Sequence, residues 1–304
     1  MPAIGMDRAY KLADELMKDK LREKAPDVFD ELEGIEEANI LVVEGVHDHI
    51  QRVLKLAGTR FTLVNQRDIT AAELRPDQVM FVNCGAKFDR EAVRRIGSFV
   101  EEGGFLFTTD WALRDVLEPA FPDYVEFNQQ LTGDEVVRVE IHSKDDPFLA
   151  TLIGPEDDPQ WWIEGSSYPI RILKPDQVNV IISSKELGRR YGEPAVFITF
   201  EVGQGRVYHM ISHFYLQRTE TRTKRHLSAS DEYMKEKEMS PAMMAKYQSM
   251  GSAEASLAEV ESAYTSRSML SQVMLKKKEQ MRRRAEEETR QGSSKTKDLN
   301  DETA

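Results

Sequence analysis

Between Gln78 and Trp111 the chain reads QVMFVNCGAKFDREAVRRIGSFVEEGGFLFTTDW, an order of elements that few folds accommodate. Val79, Met80, Phe81 and Val82 make a short apolar run that ends at Asn83-Cys84-Gly85. Val93, Ile96, Phe99 and Val100 then recur at helical spacing. Gly103-Gly104 stops that helix, and a second apolar run, residues 105–109, ends at Asp110-Trp111. Strand, helix and strand with short joints form a βαβ unit, whose crossover is right-handed in nearly all parallel sheets. Such sheets bind ligands at the carboxyl ends of their strands. Cys84 and Asp110 occupy two of those ends.

The flanking chain extends the pattern. Residues 6–24 carry an apolar stripe of Leu12, Leu16 and Met17 among alternating charges, which predicts a helix that Pro26 interrupts. Residues 39–43 read as a continuous apolar strand, as expected when helices cover both sheet faces. Residues 50–56 follow as a helix closed by Gly58, and residues 61–64 as a second strand. Thr70-Ala-Ala-Glu73 has the form of a capping box. Two βαβ units in succession imply an α/β fold: a doubly wound, mostly parallel sheet of flavodoxin-like type.

Beyond Trp111, residues 136–141 alternate as VVRVEI, which predicts an edge strand with one solvated face. Asp145-Asp146-Pro147-Phe148 reads as a turn into a short helix. Residues 170–173, 178–182 and 195–201 read as strands, and Gly203-Gln204-Gly205-Arg206 as a tight turn into a last strand ending at His213. The expected organisation is a helical leader (1–38), an α/β domain (39–217) and a charged, partly helical, partly disordered tail (218–304). In the tail large apolar residues thin out, too few for a core of its own. Residues 253–289 are rich in helix formers, and residues 292–304 are expected to be disordered.

No apolar run approaches the roughly 20 residues of a membrane helix, and the amino terminus lacks a signal-peptide pattern. The single cysteine excludes an internal disulfide and a cysteine-cluster metal site. These features predict a cytoplasmic protein. A formal charge of -12 argues against bulk nucleic-acid affinity.

Three stretches together carry a family likeness. They are Ile40-Leu-Val-Val-Glu-Gly-Val-His-Asp-His49, Phe99-Val-Glu-Glu-Gly-Gly-Phe-Leu-Phe107, and Gly203-Gln-Gly-Arg-Val-Tyr208 through His213. In order and spacing the chain resembles the class I glutamine-amidotransferase-like superfamily, and within it the trehalose-utilisation (ThuA-like) branch. The resemblance implies a nucleophile elbow after the strand that follows the double glycine. Amidotransferases place a cysteine there between small residues, and ThuA-like proteins tend to have a histidine nearby. This chain has Thr109-Asp110-Trp111, and contains no Gly-x-Cys-x-Gly or Gly-x-Ser-x-Gly motif. Such an elbow turns sharply and needs small neighbours. The resemblance therefore implies the scaffold without the amidotransferase reaction.

Candidate catalytic residues are Cys84, Asp110 and His213. Cys84 is a nucleophile at a strand end or a small buried residue. Asp110 orients a histidine, holds a metal or caps the next helix. His213 serves as a general base near neutral pH. Candidate ligand-binding residues are Glu44, His47, Asp48, Trp111, Trp161 and Trp162, with the paired tryptophans alternatively anchoring a loop to the core. His47, His49, Asp110 and His213 form a candidate divalent-metal set, against the alternative of no cofactor. His209 reads as a core histidine. Leu257, Val260, Tyr264, Leu270 and Val273, with Lys277 and Arg283, form a helix face suited to a protein partner or a second copy. Two functions are in play: a non-catalytic interaction platform whose terminal helices dock a partner, which the missing elbow favours, and an enzyme for a sugar or small polar substrate, with or without metal.

Overall fold

The computed structural model describes residues 3–142, 154 and 156–301. Two helices, α1 (Ala3–Lys24) and α2 (Pro26–Glu33), precede the sheet. Then come β1 (Ile40–Val43), α3 (Ile50–Leu56), β2 (Thr62–Val64), β3 (Val79–Val82), α4 (Arg90–Glu101) and β4 (Phe105–Thr109). A π-helical turn, Leu113–Leu117, runs into α5 (Glu118–Ala120). Short strands follow: β5 (Val125–Phe127), β6 (Glu135–Arg138), β7 (Glu140–Ile141), β8 (Gln160–Ile163) and β9 (Ile170–Ile172). The second half has β10 (Val178–Ser183), α6 (Lys185–Tyr191), β11 (Ala195–Val202) and β12 (Gly205–Met210). Helices α7 (Ser230–Glu236), α8 (Pro241–Ser249) and α9 (Leu257–Asp301) complete the chain.

The architecture is mixed α/β around an eight-stranded sheet ordered β2-β1-β3-β4-β12-β11-β10-β7. The first five strands are parallel and the last three join antiparallel. Every residue of β1, β3 and β4 is buried. Side chains alternate across a strand, so both sheet faces are covered there. Asp89 caps α4 by accepting the Ala92 N–H at 2.8 Å. The helix ends where Gly103 adopts φ 126°, a conformation that favours glycine.

Three local expectations change. The capping-box pattern at Thr70–Glu73 opens no helix: the Thr70 and Ala72 carbonyls accept hydrogen bonds from the Arg95 guanidinium on α4. Residues 136–141 do not form one strand. β6 leaves to pair with β8 in a separate ribbon, and only β7 edges the main sheet. The expected turn at 145–148 lies outside the described residues.

The largest revision concerns the tail. Leu257, Val260, Tyr264, Leu270, Val273 and Met274 join the same hydrophobic cluster as α1 and the sheet. Burying each such side chain contributes about 1.5–3 kcal/mol. A Ser256/Glu259 capping box opens α9, with Glu259 accepting the Ser256 N–H at 2.8 Å and Ser256 Oγ accepting the Glu259 N–H at 3.2 Å. The helix runs on to Asp301. The serines that made the tail look like poor core material are buried beneath it. Ser266 Oγ donates to Phe214 O at 3.0 Å, and Ser262 Oγ accepts the Gln160 N–H at 3.0 Å. Arg267 on α9 donates to Asp14 on α1 at 2.7 Å, with both side chains buried. Leader and tail thus clasp each other on the sheet. Among the described residues no helix is long and apolar enough to cross a membrane.

Candidate functional site

Three strand exits meet at one corner. Cys84 follows β3, Asp110 follows β4 and His213 follows β12, and their exposures are 1%, 2% and 1%. The backbone that places Cys84 is tightly set. Its N–H donates to Thr109 Oγ1 at 3.0 Å, and its carbonyl accepts the N–H groups of Val46 and His47 at 3.0 and 3.1 Å. Gly45 allows this approach, because a Cβ at that position would lie 2.2 Å from the Cys84 carbonyl oxygen. Asp48 fixes the chain just past His213: its carboxylate accepts the N–H groups of Phe214 at 3.0 Å and Tyr215 at 3.4 Å.

Asp110 has φ 46°, in the left-handed region. This conformation costs an L-residue roughly 1–2 kcal/mol, and aspartate tolerates it better than most. The turn is sharp, and the Asp110 side chain is tied inward. Oδ1 accepts the Tyr168 N–H at 2.9 Å and Oδ2 accepts the Ser167 hydroxyl at 2.9 Å. Cys84 Sγ lies 3.7 Å and His213 Nε2 3.5 Å from Oδ2. The Asp110 carboxylate does not cap the next helix, as one alternative supposed; its backbone carbonyl accepts the Leu113 N–H at 2.9 Å instead.

His213 sits between carboxylates. Its Nδ1 is 2.9 Å from Glu164 Oε2, on a residue whose side chain is 35% exposed. Neither ring nitrogen has a partner in hydrogen-bond geometry, so the attraction is that of ion pairs. Burial opposes charge on the imidazole, but Asp110, the Cys84 side chain and Glu164 outweigh it and hold its pKa well above the ordinary value. Burial pushes the Cys84 thiol up to about 11, and the Asp110 carboxyl upward as well. Contact with His213 lowers Glu164.

Aromatic rings roof the corner. Trp111 Nε1 donates to Ser166 O at 2.9 Å, and the indole stacks on Tyr168 with centroids 5.9 Å apart. Tyr168 in turn stacks on Phe127 at 4.2 Å, and His47 meets Trp111 edge-on at 4.8 Å. Trp162 meets His213 edge-on at 5.9 Å.

The structure therefore joins the catalytic candidates Cys84, Asp110 and His213. Among the described residues, the His/Cys/Asp/Glu group compact enough to share an ion is Cys84, Asp110 and His213. His47 and His49 drop out of the expected metal set: His47 packs on Trp111, and His49 leads into α3. Several ligand-binding expectations also change. Glu44 is exposed outside the corner, Asp48 is spent on backbone N–H groups, and Trp161 is fully buried in the core. Trp162 is a wall beside His213, its Nε1 donating to Asp134 at 2.8 Å.

Glu164, Ser167 and Tyr168 were missed. The strand alternation of residues 160–164 was a usable signal, since it puts Trp162 and Glu164 on one face. The partner-docking stripe is corrected too. Leu257, Val260, Tyr264, Leu270, Val273 and Lys277 are at most 3% exposed within this chain, while Arg283 remains exposed. His209 is a core histidine, its Nδ1 2.8 Å from Thr108 Oγ1, with burial lowering its pKa to about 3.

No protein-family model matches the chain, and no curated protein matches it. Solved structures with similar chains include ThuA-like and glycosidase proteins. A putative ThuA-like protein from Bacteroides uniformis is 10% identical, with a TM-score of 0.42 over 59% of this chain and 83% of that one. Cytoplasmic protein STM3548 from Salmonella typhimurium is 11% identical, with a TM-score of 0.40 over 72% of this chain and 99% of that one. An exo-β-1,4-mannosidase from an Opitutaceae bacterium is 9% identical, with a TM-score of 0.41 over 71% of this chain. The match spans 36% of the mannosidase.

Proposed function

We propose that this chain is a non-catalytic interaction module: a doubly wound, amidotransferase-like scaffold whose nucleophile corner has closed. One observation carries the reading. The side chain at the elbow, Asp110, is bound inward by Tyr168 and Ser167 and is buried. A nucleophile must present a free lone pair to a substrate that can reach it, with the base in hydrogen-bond reach. Here the residue at the elbow spends its oxygens on neighbours. The buried first half of α9 belongs to the core, so the partner surface falls on its distal part, where Arg282 and Arg283 are exposed. The test pairs an activity assay with cross-linking in native cells. The reading expects no glutamine or ester turnover, and cross-links from distal α9 that persist in Asp110→Asn. Turnover that Asp110→Asn abolishes would overturn it.

A second reading, hydrolysis of a sugar or small polar substrate at the same corner, draws support from the convergence of Cys84, Asp110, His213 and Glu164. It requires Trp111 to swing away from Ser166, which a substrate-dependent change in Trp111 fluorescence would report.

A further inference from the structure

The closed corner gathers three metal-ligating side chains around one carboxylate oxygen. Cys84 Sγ and His213 Nε2 stand 3.7 and 3.5 Å from the same Asp110 oxygen, Oδ2. The first is a thiol hydrogen bond and the second falls outside hydrogen-bond geometry; both are long contacts. They are the edge lengths of a coordination tetrahedron: bonds of about 2.0–2.3 Å to zinc hold ligand atoms roughly 3.3–3.8 Å apart. One ligand atom from each of the three residues can be chosen so that no pair is more than 4.8 Å apart. A second, independent observation is that His213 Nε2 is fully buried and makes no hydrogen bond, although buried polar groups are nearly always satisfied.

We propose that Cys84, Asp110 and His213 form a buried metal site for a borderline-soft divalent ion, zinc, with a water in the fourth position. The donor set of thiolate, carboxylate and imidazole suits that ion. The surroundings match what a ligating histidine needs. Its other nitrogen, Nδ1, faces the Glu164 carboxylate at 2.9 Å, the kind of outer carboxylate that accompanies ligating histidines. The Asp110 carboxylate is oriented by Tyr168 and Ser167. Coordination displaces the thiol proton of Cys84 and the Nε2 proton of the His213 imidazolium, and both leave to solvent. The ion ties together the ends of β3, β4 and β12 beneath the Trp111 roof. This goes beyond the module reading, because the brace holds whether or not a partner docks.

The test uses the full-length chain, stripped with a chelator and dialysed. Zinc is titrated against a chromophoric competitor, and cobalt(II) is followed by absorption. The proposal expects one equivalent of each, a thiolate-to-cobalt charge-transfer band, and a higher unfolding midpoint with zinc. Cys84→Ser should lose the band and bind zinc at least about tenfold more weakly. Glu164→Gln, at the partly exposed outer position, should weaken binding by about 10–100-fold while keeping the band. His49→Ala should bind as the wild type does. Absence of the charge-transfer band in the wild type, or equal zinc affinity in Cys84→Ser, would overturn the proposal. If the inner variants fail to fold, the wild-type band and the Glu164→Gln affinity still decide it.

Discussion

Replacing Arg267 with alanine tests whether α9 is part of the folded body. The guanidinium donates from Nε to Asp14 Oδ1 at 2.7 Å and from Nη1 to Ser271 Oγ, and both ionic side chains are nearly inaccessible. Removing one member of a buried ion pair leaves the other charge uncompensated, at a cost of about 3–5 kcal/mol. Asp14 keeps a second cation, Lys18 Nζ at 3.1 Å, so the loss should fall at the low end, about 3 kcal/mol. At roughly 2 °C per kcal/mol for a chain of this size, the unfolding midpoint should drop by about 6 °C. Thermal unfolding followed by circular dichroism measures the midpoint, and urea denaturation measures the free-energy loss. Replacing both partners together, Asp14→Leu with Arg267→Met, removes the stranded charge and should recover most of the loss. An Arg267→Ala chain within about 1 kcal/mol of the wild type would mean that α1 and α9 do not clasp as described.

Gly45→Ala should destabilise the chain by about 1–3 kcal/mol in the same assay, because its Cβ would collide with the Cys84 carbonyl. Cys84 should react slowly with iodoacetamide at neutral pH, since burial pushes its thiol up to about 11 and only the thiolate attacks. Rapid alkylation of the folded chain would contradict that burial. His209 gives a pH signature. Burial lowers its folded pKa to about 3, whereas the unfolded value is about 6.5. The unfolded chain therefore binds more protons between those values, so this group removes stability as pH falls from about 6.5 toward 3, by up to about 1.4 kcal/mol per pH unit. His209→Asn should flatten that part of the acid unfolding curve; an unchanged slope would show that another group dominates.

The sheet was legible where the chain spoke in period and punctuation. Continuous apolar runs at β3 and β4, with Gly103 as a stop, placed two strand exits and with them Cys84 and Asp110; the last strand, expected to reach His213, ends at Met210. Local signals failed where tertiary partners decide. Thr70 and Glu73 carry a capping pattern, but Arg95 takes the carbonyls of Thr70 and Ala72. Ser262, Ser266, Ser268 and Ser271 lower the apparent hydrophobicity of α9, yet all are buried. A pattern of apolar residues cannot reveal that distant backbone groups, Gln160 N–H and Phe214 O, supply partners for the Ser262 and Ser266 hydroxyls. Glu164 escaped notice because its role depends on β8 passing beside His213, a contact between residues far apart in sequence.

The corner beneath Trp111 is the centre of the account, and intact-mass spectrometry probes it most directly. The full-length chain is incubated with an electrophilic glutamine analogue and then with an activated ester, and peptides are mapped afterwards. The unmodified mass should persist at neutral pH, with no adduct on Asp110 or Cys84. A stoichiometric adduct on either residue, formed faster than on the unfolded chain, would contradict a closed and unreactive elbow.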